Sequence, residues 1–277
     1  MRAGASLTHV RGLPDKVPFA RPIRQLWEAP VFHERTSVGL DVHARSVLAS
    51  AIDGVTGEVV TQRLVPDPAV VTAWIKDLPG PVAATYEAGP TGFGLYRALT
   101  AAGIDCVVAA PSKLIRPSGD RVKTDVKDAV LLARLLRLGE ITQVVVPTVA
   151  QESARDLVRA REDARGELMR ARHRLGKMLL RHGHVYSGGA AWNRPHDAWL
   201  RRIRLEHQGT RIAFDSAYEC VQMATARRDR LDAAIAAMAA DSEYTDITRR
   251  LGCLRGISTL TGFALAVEIG DWHRLTG

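Results

Sequence analysis

Cysteine is scarce in this chain. Cys106, Cys220 and Cys253 are far apart, odd in number and form no CxxC pair. That spacing argues against a disulfide framework and a cysteine-built zinc site, and it fits a reducing cytoplasm. Long apolar runs are missing as well. No stretch reaches the roughly 18 uncharged residues that a membrane helix needs. The nearest approach, residues 251–269, is interrupted by Arg255 and Glu268. No apolar core follows Arg2, so no signal peptide is expected. What is present is positive charge. The 277 residues carry a formal net charge of +8 with a sequence pI near 9.8. Residues 151–204 alone hold 13 Lys/Arg against 6 Asp/Glu. An excess of this kind points to an anionic partner, nucleic acid foremost, or to no more than a soluble surface. The chain is long enough for two domains, and its 46% hydrophobic content can bury a core.

Periodicity divides the chain. Residues 1–35 contain Pro14, Pro18, Pro22 and Pro30 without a regular pattern and read as a flexible extension. Residues 37–42, 46–53 and 57–65 read as three antiparallel strands joined by tight turns. A helix, a strand over 81–87, a second helix, a strand through "IDCVVAA" and a third helix follow. This order predicts an α/β domain over residues 36–150, a mixed sheet with helices on both faces and a ribonuclease H-like fold. Residues 151–245 read as a helical region. From 152 to 183, Leu157, Ala164, Leu168, Ala171, Leu175 and Met178 fall on a seven-residue repeat, with Arg161 and His182 as polar exceptions. A Gly-, Trp- and Pro-rich loop leads to a second helix over about 214–240. The pair suggests an antiparallel hairpin or a dimerising coiled coil. Residues 246–277 read as helix, turn at Gly256, helix, with Gly270 as a stop.

Four acids stand out. Asp125 and Asp128 open the helix in "RVKTDVKDAVLLARLL", where Asp at the N-cap with an acid at N3 is an ordinary capping arrangement. The alternative is a site. Asp41 lies inside the apolar strand "VGLDVH", where a charge is costly unless paired or metal-bound. Glu87 ends the strand "PVAATYE" just before a turn. In a ribonuclease H-like sheet the first and fourth strands are neighbours, and the i, i+3 pair on the helix can face the same edge. Four such carboxylates repel unless cations sit among them, and oxygen-rich clusters select magnesium or manganese. A pair of ions about 4 Å apart would clamp a phosphodiester. Arg121, Lys123 and Lys127 flank the site and could hold a nucleic-acid backbone. Arg170, Arg174 and Lys177 make the long helix a second nucleic-acid candidate, weighed against a solvated face.

"VGLDVHARSV", "YEAGPTGFGLYRAL" and "VVAAPSKLIRPSGDRVKTDVKDAVLLARLLRLG" together resemble the IS110 (insertion sequence one-hundred-and-ten) family of transposases, which includes Piv-type DNA invertases. The resemblance runs over residues 38–274. It implies a RuvC-like catalytic domain with a DEDD tetrad, carried here by Asp41, Glu87, Asp125 and Asp128, and divalent metal as cofactor. It also implies DNA as substrate, a dimer or tetramer and, in some members, a structured guide RNA. "LGCLRGISTLTGFALAVEIGDWHRL" resembles the start of the family's second, helix-hairpin-helix-like domain, in which Gly256 would present amides to a DNA phosphate. Ser258 stands where such hairpins often have a second glycine. The family's nucleophilic serine lies beyond that hairpin. A chain ending at Gly277 is therefore expected to be C-terminally truncated and to lack that step.

Other readings compete. A Holliday-junction-resolvase-like nuclease shares the fold and metal chemistry and needs no serine. A non-catalytic remnant would only bind nucleic acid. An actin-like sugar kinase superficially resembles residues 38–60, but its phosphate loop wants glycine where Val42 and His43 stand. Gly89, Gly92 and Gly94 lack a Walker lysine and read as a strand-to-helix turn. His182 and His184 have no third ligand in view. Trp192 and Trp199 could stack on bases or pack in a core.

Overall fold

The computed structural model describes residues 35–115 and 124–272. The extension up to residue 34, together with Arg121 and Lys123, lies outside the described residues. The chain divides into two compact units between Val146 and Pro147.

The first unit is built from β1 (Thr36–Val42), β2 (Val47–Asp53), β3 (Val59–Leu64), α1 (Pro68–Lys76), β4 (Val82–Glu87), α2 (Gly94–Ala101), β5 (Asp105–Ala109) and α3 (Asp125–Arg137). The sheet order is β3-β2-β1-β4-β5. β1, β2 and β3 are antiparallel neighbours, and β4 and β5 run parallel to β1. This is the mixed α/β sheet of a ribonuclease H-like fold. Strand alternation sorts its two faces. Val38, Leu40, Ala49, Ala84 and Tyr86 pack with Val71 and Ile75 of α1 and Leu95 and Leu99 of α2. The opposite face is floored by small residues, since Gly39 stands between Ser50 of β2 and Thr85 of β4. The absent side chain lets α3 lie directly on the sheet. A Cβ at position 39 would strike the Ala129 carbonyl and stand 2.5 Å from the Ala133 nitrogen. The apolar stripe of α3, with Ala129, Leu132, Ala133 and Leu136 buried, covers this floor.

The second unit is helical: α4 (Val149–Arg181), α5 (Arg194–Leu200), α6 (Gln208–Ala240), α7 (Thr245–Gly252) and α8 (Thr259–Ile269). Ala164, Leu168, Ala171, Leu175 and Met178 are the buried heptad positions of α4. The last four lie in one cluster with Phe214 and Val221 of α6. Early α4 meets late α6: Arg161 Nε donates to Asp232 Oδ1 at 2.6 Å, and Arg227 Nη1 to Glu167 Oε2 at 2.6 Å. The two long helices therefore form an antiparallel hairpin within one chain. The polar exception Arg161 is explained by its partner Asp232. Both helices begin earlier than periodicity predicts. α4 is capped by Thr148, which accepts from Gln151 N at 3.0 Å, and the first turn of α6 has no apolar stripe to announce it. α5 starts at the end of the loop read over 184–195 and runs into a stretch for which periodicity predicts no element. Asn193 caps it, accepting from His196 N at 2.9 Å, with Pro195 in its first turn.

Candidate functional site

Asp41 is the next-to-last residue of β1, and Glu87 is the last of β4. Leu40 pairs with Tyr86 across the two parallel strands. Asp41 and Glu87 therefore follow side by side at the carboxyl end of the sheet. Both share the strand parity of Gly39 and Thr85, so they belong to the face that α3 covers.

Asp125 is the first residue of α3. The N-cap is not an aspartate: it is Thr124, whose hydroxyl accepts from Lys127 N at 3.4 Å. With the cap filled by threonine, Asp125 and Asp128 sit in the first turn, where the helix dipole still favours negative charge. Asp125 is solvent-exposed there and Asp128 is half-buried.

Among the described residues, the donor atoms of Asp41, His43 and Asp125 all lie within 4.8 Å of one another. Glu87 and Asp128 are not members of this close group. His43 enters because the chain leaves β1 at Val42 and turns back. Its Nε2 lies 3.0 Å from Asp41 Oδ2. Arg63 of β3 reaches the same place, with Nη2 3.5 Å from Asp125 Oδ2 and Nη1 donating to Ser46 Oγ at 2.8 Å. Two carboxylates and an imidazole can together take a divalent cation, with oxygen donors suiting magnesium or manganese and nitrogen shifting preference toward the transition metal. The acids were legible from the sequence. His43 was not, because a lone histidine after a strand carries no spacing signal.

The basic residues of α4 fall into two groups. Those of its first half are engaged within the unit. Arg155 donates to the carbonyls of Val267 at 3.0 Å and Glu268 at 2.8 Å, capping the end of α8. Arg159 reaches the Glu268 carboxylate, and Arg165 pairs with Glu162. Further along, Arg170, Arg174 and Lys177 are exposed and have no acidic partner among the described residues. Arg174, Lys177, His173 and Arg181 line a cleft of about 670 Å³ against Ala217 and Cys220 of α6, with no carboxylate in its walls. Lys127 is exposed in the first turn of α3. Gly256 makes the turn between α7 and α8 with φ +89°, a conformation that glycine adopts freely. Ser258 is the N-cap of α8, accepting from Thr261 N at 3.2 Å. That explains a serine where the hairpin resemblance expects glycine.

No helix among the described residues is long and apolar enough to cross a membrane. The family model of the DEDD transposases of IS110, described as "Transposase", matches residues 38–183. The chain is 39% identical over 189 residues to "Putative transposase y4qE" of Sinorhizobium fredii (strain NBRC 101917 / NGR234), covering 68% of this chain and 45% of that protein. It is 31% identical over 241 residues to "Transposase for insertion sequence element IS1533" of Leptospira borgpetersenii, covering 85% of this chain and 70% of that protein. The matched segment contains the sheet, the acidic edge and all of α4, and the chain belongs to the IS110 family of insertion-sequence transposases.

Proposed function

We propose that the chain acts in DNA transposition by metal-assisted phosphodiester cleavage and strand transfer, with the sheet unit as its catalytic part. The observation that carries this reading is the convergence of Asp41 and His43, neighbours at the end of β1, with Asp125, far along the chain on α3, within 4.8 Å. Their donor set fits magnesium or manganese. Bound there, one or two such ions would supply Lewis-acid stabilisation of phosphate charge and an activated oxygen nucleophile. Asp41 and Asp125 are the principal oxygen ligands, and Asp41 also orients the His43 ring. Glu87, on the neighbouring strand end, and Asp128, one turn along α3, complete the acidic tetrad. Arg63, steadied by Ser46, limits repulsion at the exposed Asp125. Lys127 on α3 and Arg170, Arg174 and Lys177 on α4 contact phosphates, and Gly256 offers backbone amides in the turn before α8.

In this reading residues 36–150 are catalytic, 151–245 form the helical region, and 246–277 begin a further nucleic-acid-binding segment. The family likeness supports a homo-oligomer around DNA, with a structured RNA as a second partner.

Calorimetric titration with manganese tests the site. Binding is expected in the parent chain and lost in Asp41→Ala and Asp125→Ala, with helix and sheet content unchanged by circular dichroism. Equal manganese affinity in the parent and both variants would dismiss the metal centre, and the nuclease chemistry with it.

A further inference from the structure

A second built site lies in the helical unit, between α4, α5 and α6. Arg172, Trp192, His196, Tyr218 and Gln222 wall an open cleft of about 410 Å³, floored by Leu200 and Val221. That volume falls in the range of small-ligand pockets and is far too small for a duplex or a helix. The cleft is rich in rings. Trp192 and Tyr186 each stand 4.8 Å from the His196 ring, and Trp199 stands 5.4 Å from it. The Arg172 guanidinium carbon lies 5.1 Å from the Trp192 ring centre. Trp192 has φ +68°, and this left-handed backbone turns its half-buried ring to the cleft.

Two polar groups here are left over. His196 is only 5% exposed, and its Nδ1 has no hydrogen-bond partner. The buried Nε of Arg172 has none either. Buried polar atoms are almost always satisfied, so two in one wall point to a ligand that satisfies them. Burial holds His196 below its ordinary pKa, with Arg172 adding to the shift against the opposing pull of Asp197. The ring is neutral near pH 7 and offers one donor and one acceptor.

The charges in the wall select the ligand class. Asp197 is engaged by Tyr218 and by Arg201 Nε at 2.8 Å, and Asp229 is engaged by Arg228. Two carboxylates balance the wall's two arginines, so a phosphate dianion would meet repulsion as well as attraction. A purely apolar ligand would leave His196 and Arg172 unsatisfied. A flat, neutral heterocycle with donors and acceptors on its edge meets both requirements.

We propose that this cleft takes one unpaired nucleobase of a nucleic-acid strand, seated beside Trp192 with its edge toward His196 Nδ1, Arg172 and Gln222. A base stacked in a duplex cannot enter, so the ligand is single-stranded, looped or flipped out. The ligand class rests on reading the chain as a nucleic-acid protein, but the site needs no metal.

The test uses the full chain in EDTA, with short single strands of DNA and of RNA carrying one central 2-aminopurine or, at the same position, an abasic nucleotide. The base-bearing probe is expected to bind about tenfold more tightly than the abasic one, with its fluorescence quenched. Trp192→Gly, which also relieves the backbone, and Gln222→Leu, on the exposed side of α6, should each reduce binding of the base-bearing probe toward that of the abasic probe. Whichever of the DNA and RNA arms shows the preference identifies the source of the base. Equal binding of base-bearing and abasic probes in both arms overturns the proposal, as does unchanged preference in a folded Trp192→Gly and in Gln222→Leu. Asp41→Ala should keep the preference, so failure of the metal centre and failure of this cleft read out separately.

Discussion

His43 is the residue that changes the chemistry of the acidic edge. Read along the chain it is one of nine scattered histidines. Only the turn after β1 brings its Nε2 to Asp41 and one of its ring nitrogens within 4.8 Å of an Asp125 carboxylate oxygen. A nitrogen donor should favour manganese over magnesium. His43→Ala is therefore expected to weaken manganese binding about tenfold while changing magnesium binding less. Manganese affinity can be read from the free-ion signal by electron paramagnetic resonance, and magnesium affinity by competition. Equal losses for both ions would show that the imidazole is not a ligand. Thr124 is the other correction at this scale. It takes the capping role that the sequence offers to Asp125, and a hydroxyl suffices for that. The thiols give a simple check of the core. Burial pushes Cys106 up to about 12, whereas Cys220 and Cys253 are exposed. At neutral pH a disulfide-exchange reagent should titrate two thiols quickly and the third only after denaturation.

Among the elements, α3 and β1 decide whether the site exists. Their contact depends on the missing side chain of Gly39, where even a methyl group would run into the α3 backbone. Backbone cannot yield as a flexible side chain does. Gly39→Ala should cost about 1–3 kcal/mol in urea unfolding, and Gly39→Val more. Because α3 also carries Asp125, Gly39→Ala should weaken manganese binding without removing any ligand. Full stability in Gly39→Ala would mean that α3 can move off the sheet. The strands and the antiparallel run of β1, β2 and β3 were legible because alternation and turn chemistry are local; the parallel pairing of β4 with β1 followed only from the expected fold, and the place of β5 was not read. The glycine's purpose was not, since nothing near it in sequence names the helix that lies on it. α4 teaches a similar lesson. Its arginines look alike in sequence, yet Arg155 caps α8 and Arg161 pairs with α6, while Arg174 and Lys177 line an open cleft.

For the whole molecule, net charge is the property that bears on partners. Of the +8, the share free to meet a polyanion is what remains after internal pairing. Arg170, Arg174, Lys177 and Arg181 have no acidic partner among the described residues. Replacing all four with serine should flatten the dependence of duplex DNA affinity on salt, by about 0.9 in log–log slope for each phosphate that is no longer neutralised. Fluorescence anisotropy across a salt series reads this directly, and an unaltered slope would take the cleft out of the interface. Manganese at about a hundred times its dissociation constant should stabilise the sheet unit by about 2.7 kcal/mol, visible as a rise in melting temperature absent from Asp125→Ala.

Sequence by itself determined the strands, the antiparallel run of the first three, the two long helices and the four acids, because period, turn residues and a charge in an apolar strand are written over a few neighbouring positions. Tertiary structure decided which groups converge. It joined His43 to Asp41 and Asp125, divided the basic residues of α4 between internal pairs and an open cleft, and gathered Arg172, Trp192 and His196 around one cavity. Those choices rest on contacts between distant segments, and such contacts exist only once burial has brought the elements together.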